Sequence, residues 1–180
     1  MLEITIPATK LWDEVNEKFI NIEGQTLRLE HSLVSLSKWE SKWCKPFISK
    51  EQKTPIETID YIKCMTITQN VNPNVYYGIT QKHIDMVNAY IEAPMTATTF
   101  SSNNDGKINR EQITAELVYY WMIALGIPFE CQKWHLNKLL TLIKVCNIKN
   151  APPKKMGKKE TMRRYATLNA ARKKRLGTKG

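Results

Sequence analysis

Four groups of residues have side-chain types and spacings that could support chemistry or binding. Cys131 and His135 stand four apart, and Cys146 follows eleven residues later. On a helix the first two share a face, as a metal pair would. A structural zinc site needs four N or S ligands. His31 and His83 are far away in the chain, so the set stops at three. Core thiols beside a partly exposed imidazole are therefore expected, and no metal site is assigned.

The segment Ser101–Gln112 imitates a calcium loop. With Gly106 at the sixth position, Asn103 and Asp105 fall on the third and fifth. The first position is Ser101, however, and the twelfth is Gln112, which cannot give the bidentate carboxylate that calcium needs. A polar turn followed by a capped helix explains the same residues. Carboxylates such as Glu116 and Glu130 could sit in a cleft, but nothing pairs them with a base or metal, and a solvated face is expected. Nucleophile-elbow, HExxH, P-loop and GxGxxG motifs do not occur. The expectation is a protein that is not an enzyme and uses no cofactor.

The fourth group is a run of charge. Eleven basic residues lie from Ala151 onward, against Glu160 alone, so the last thirty residues carry the whole net charge of +10. The preceding 150 residues balance, with sixteen basic and sixteen acidic side chains. Arg163, Arg164, Arg172, Lys173, Lys174 and Arg175 are its densest part and the candidate partner-binding residues. Such a run docks on phosphate, releasing counterions, or gains order against an acidic protein surface; a merely solubilising end is the bland alternative. Only Tyr165 interleaves, so stacking of single-stranded bases is not expected.

Several elements must position these groups. Leu2–Ile6 and Thr26–Glu30 alternate apolar with polar residues and predict two strands of a small sheet. Between them a short helix is expected near Trp12–Ile20. Ser32 or Ser35 caps a helix running to Trp43, ended by Pro46; Leu36, Trp39 and Trp43 make its aromatic face. Thr54-Pro55 opens the next, with Ile56, Ile59, Tyr61, Ile62 and Met65 inward. Asn70–Asn74 is a turn, and Thr80 starts a helix through Tyr90. Met95–Phe100 and Lys107–Asn109 are read as a hairpin about the Asn103–Gly106 turn.

Asn109 with Gln112 resembles a capping box for a helix whose apolar side is Ile113, Leu117, Tyr120, Trp121 and Ala124. A second helix follows over 129–146, and the short connection implies a packed pair. Beyond the Ala151-Pro152-Pro153 break, 160–176 has good helix formers and only a thin apolar stripe. The four cysteines are spaced as buried free thiols. The apolar run Leu117–Phe129 is shorter than the roughly 20 residues that span a bilayer. With no charged, apolar leader at the N-terminus, a soluble cytoplasmic chain is expected. These elements predict an α+β, predominantly α-helical fold. It has a small antiparallel sheet packed by helices, a two-helix unit near 110–147, and a helical basic C-terminal tail. Residues 1–150 form the globular domain and 151–180 the tail.

The stretch ITAELVYYWMIALGIPFECQKWHLNKLLTLIKVCNIKN (113–150) resembles a segment of small tailed-bacteriophage proteins that close on a basic stretch of the type LNAARKKRLGTKG (168–180). LEHSLVSLSKWESKWCKPF (29–47) is similarly phage-like. The family that this resembles is the tail assembly chaperones, and the likeness covers about half of the chain. It implies a non-enzymatic protein of the host cytoplasm that binds a long helical tape-measure or tail-tube client. The competing expectation is a virion component of head, connector or tail whose basic segment touches DNA or an acidic partner.

Overall fold

The structure is a computed structural model and describes residues 1–14, 16–49, 51–100, 112–152 and 157–177. It is α+β and predominantly helical. Strand β1, Leu2–Ile6, pairs antiparallel with a later strand, Gln25–Leu29, in the register Leu2↔Leu29, Ile4↔Leu27, Ile6↔Gln25. The period-2 alternation decides the faces. Ile4, Ile6, Leu27 and Leu29 are buried, while Thr5 and Thr26 join hydroxyls outside at 3.0 Å.

Between these strands the expected helix near Trp12–Ile20 is absent. The chain instead forms a second antiparallel pair, β2 (Thr9–Asp13) with β3 (Lys18–Ile22), so Gln25–Leu29 is β4. The Asp13 carboxylate accepts from the Asn16 backbone N–H and side-chain amide at 3.2 and 2.8 Å, and Glu17 takes a positive φ of 47°. Trp12 then sits across from Phe19, ring centroids 4.9 Å apart. Trp12 and Phe19 also fit a helical spacing, but the turn and this cross-strand pair decide for a hairpin.

Helix α1, Leu33–Trp43, starts at a capping box in which Ser32 and Ser35 exchange side-chain and backbone hydrogen bonds. It runs to Trp43 as expected, and its stop is Cys44, left-handed at φ 51°, ahead of Pro46. Helix α2, Pro55–Met65, is opened by a Thr54/Glu57 capping box. It buries Tyr61, Ile62 and Met65, but Ile56 points outward. A 3-10 helix, Pro73–Gly78, begins where Asn72 accepts from the Asn74 N–H. Helix α3 spans Gln81–Glu92. Met95–Phe100 is not a strand: the Thr96 hydroxyl accepts from the Thr98 N–H in a local turn. The expected partner strand and its turn lie outside the described residues.

Helix α4, Ala115–Ala124, is capped by Thr114, whose hydroxyl takes the Leu117 N–H; the Asn109 cap is outside the described residues. Its buried side is Ala115, Val118 and Met122; of the expected side, Ile113, Leu117 and Trp121 are half-buried and Tyr120 and Ala124 are exposed. The expected second helix is divided. Phe129–Lys133 is a 3-10 turn, and α5 runs from Leu136 to Asn150. His135 breaks it, because it bridges to Ser32 while the Leu136 N–H donates to the His31 carbonyl at 2.7 Å. Helices α2 and α4 and the 129–133 turn all pack on α1. Trp39, Leu33 and Leu36 of α1 share one core with Leu136, Leu139 and Ile143 of α5. Residues 1–147 form one compact unit and 148–180 a second. The second holds α6, Lys158–Leu176, closed by Gly177 in the left-handed conformation (φ 62°) that glycine adopts without strain.

Candidate functional site

The six basic residues singled out by sequence all lie on α6. Every described side chain from Met162 to Gly177 is exposed. At 100° per residue, Arg163 and Lys174 share one side, Arg164 and Arg175 another, and Arg172 flanks Tyr165. Lys173 lies on a further side. Charge therefore surrounds α6. Lys173, Lys174 and Arg175 also occupy its last turn, where cations offset the negative end of the helix dipole. Met162, Tyr165 and Leu176 form the narrow apolar stripe, bordered by Leu168.

The other candidates are not assembled into a reactive centre. Cys131 and His135 are both buried, but the 129–133 turn ends between them, so they do not share a helix face. His135 is not half-exposed as expected. Its Nδ1 accepts from the Asn137 N–H at 3.3 Å and its Nε2 donates to the Tyr90 carbonyl at 3.0 Å, which defines a neutral ring. All four cysteines are free; only Cys131 is buried, Cys64 and Cys146 are half-buried, and Cys44 is exposed. Among the described residues no three His, Cys, Asp or Glu side chains gather as metal ligands. The calcium-like loop lies outside those residues, apart from Gln112. Glu116 and Glu130 are exposed at opposite ends of the α4 segment.

Sequence reasoning missed the carboxylates that matter most inside. Glu40 is buried on α1 and accepts the Phe47 N–H and the Ala115 N–H, each at 2.7 Å. Asp60 is gripped by Lys42 and by the Trp43 indole N–H at 2.9 Å; burial raises its pKa, but these partners outweigh that and hold it low. Glu57 is held down to about 2, first by the Thr54 backbone N–H and then by Lys45. These carboxylates anchor loops and helix starts.

Sequence also gave no sign that His31 meets His135. The two rings lie 5.1 Å apart, and His31 Nδ1 shares a 2.6 Å hydrogen bond with the Tyr61 hydroxyl. Beyond them the Tyr90 hydroxyl donates to Glu30, which pairs with the N-terminal ammonium at 3.2 Å. A groove of about 480 Å³ between α2 and the Pro73–Gly78 turn is walled by Ile56, Ile59, Tyr76 and Tyr77. Its one carboxylate is the engaged Asp60. Among the described residues the buried side-chain polar groups are all hydrogen-bonded, and much of the excess positive charge lies on α6. No family model, curated protein or solved structure matches the chain.

Proposed function

We propose that the protein is a non-enzymatic phage assembly factor, a tail assembly chaperone that holds a tape-measure or tail-tube client in the host cytoplasm. One observation carries this reading: α6 stands in its own unit with its cations and its apolar stripe exposed. The 113–150 and 168–180 likeness supplies the class of partner. A long helical client offers acidic and apolar side chains on one surface, which a basic helix with a thin apolar stripe can meet.

The spread of charge around α6 favours a second reading. A helix docked on a protein uses only the cations that border its stripe, whereas a helix lying among phosphates meets anions from several sides. In that case the protein is a virion component whose arm touches DNA.

Affinity capture of the tagged full-length chain from infected lysate, with and without nuclease treatment, tests both. It is run beside a variant with Arg163, Arg164, Arg172, Lys173, Lys174 and Arg175 all changed to Gln. Recovery of a very long helical tail protein by the parent only supports the chaperone. Recovery of capsid or connector proteins that disappears after nuclease supports the DNA-contacting component. Capture indifferent to the six substitutions removes both.

A further inference from the structure

Helix α4 reads AELVYYWMIA, with a single charged residue. A helix apolar all round is normally covered all round. Here one side packs on α1, and the other leaves Tyr120 at 64% and Ile123 at 65% exposure, with Phe129 at 54% just beyond. Glu116, Tyr120 and Ile123 follow each other at i, i+4 and i+7, so they share that outer stripe. From Gln112 to Gln132 the chain holds two acids, Glu116 and Glu130, and no lysine or arginine. The uncovered surface is thus apolar along its length and negative at both ends.

Its complement is present in the same molecule type. Met162, Tyr165 and Leu168 of α6 are exposed apolar side chains set among arginines and lysines. We infer that the outer face of α4 is a self-association site, and that its occupant is the basic helix α6 of a second copy of this chain. Apolar side chains meet apolar ones, and the α6 cations reach Glu116 and Glu130. Arginine is further suited to lie over the Tyr120 and Phe129 rings. A symmetric pairing of α4 on α4 would cover the same apolar surface but bring four carboxylates together, and Lys45, beside Glu116, is already engaged by Glu57. Charge therefore selects the unlike pairing. Each copy carries both halves, so the contact is heterologous. It stands independently of the phage reading.

The test is complementation between two full-length variants, followed by sedimentation velocity. Ile123→Lys together with Tyr120→Asp spoils the α4 face; Tyr165→Glu together with Leu168→Glu spoils the α6 stripe. All four positions are exposed; tryptophan emission checks that the α4 variant keeps the parental fold, and far-ultraviolet circular dichroism that the α6 variant keeps its helix. The parent should associate at micromolar concentrations and weaken at least about tenfold in 0.5 M salt, about the level at which screening removes exposed ion pairs. Each variant alone should be monomeric, and their equimolar mixture should recover a heterodimer through the one intact contact. A monomeric parent overturns the inference. An α6 variant that associates like the parent, or a mixture that stays monomeric, does so equally.

Discussion

His31 is the residue on which acid acts first. Burial, and then the nearby His135 ring, lower its pKa from the usual 6.5 to about 3. His135 is lowered as well, by burial, against the upward pull of the Tyr90 carbonyl. In both cases the unfolded chain takes the proton before the folded one. Stability is therefore full above about 6.5 and falls as pH drops below it. For His31 the slope approaches about 1.4 kcal/mol per pH unit. Glu57 acts in the same direction at lower pH: its stabilising contribution is present above the usual 4.5 and is lost as pH falls toward about 2. The window from 6.5 to 4.5 thus belongs to the imidazoles. His31→Gln should flatten the pH dependence of the urea midpoint in that window, leaving the His135 share. An unchanged slope would remove His31 from the account.

At the scale of elements, the β1–β4 pair and the β2–β3 hairpin meet over the Pro73–Gly78 turn. A Cβ at Gly78 would stand 2.6 Å from the Ile6 Cγ2 and 3.4 Å from the Ile22 Cδ1. Ile6 is β-branched and wholly buried, so its methyl has nowhere to retreat. Gly78→Ala should cost about 1–3 kcal/mol by overpacking, read as a lowered melting temperature. An unchanged melt would mean that the turn moves aside. The elements legible in sequence were those with local chemistry at their ends. Ser32, Thr54 and Thr80 mark helix starts, and alternation marks β1 and β4. The misses have a common cause in partners remote along the chain. Trp12 and Phe19 chose each other across a turn, and Leu136 found the His31 carbonyl 105 positions earlier. α4 has no polar side to orient it, so periodicity could not choose Val118 over Leu117. The candidate charges on α6 were fully legible, because exposed charge needs no tertiary context; the α4 face was not, because apolar residues read as core until packing leaves them outside.

The molecule as a whole divides into a charge-balanced unit and a basic one, and their stabilities have different origins. The first is held by a shared core that none of the described α6 side chains joins, and a lone helix of the 19 residues of α6 is marginal in water. All five tryptophans, Trp12, Trp39, Trp43, Trp121 and Trp134, belong to residues 1–147. Tryptophan emission therefore reports the first unit alone, whereas far-ultraviolet circular dichroism reports both. On heating dilute protein, part of the helical signal should decline broadly before the emission transition begins. Coincident curves would mean that α6 melts with the body.

Glu40 gives the first unit a schedule. While the chain is being synthesised, Phe47 arrives early to occupy one carboxylate oxygen, but the other waits for Ala115, 75 residues later. Until then a charge meant for the interior has half of its donors, which penalises closing α1 prematurely. The early strands and α1 can gather as each emerges from the ribosome, yet the lock turns only after α4 has been made.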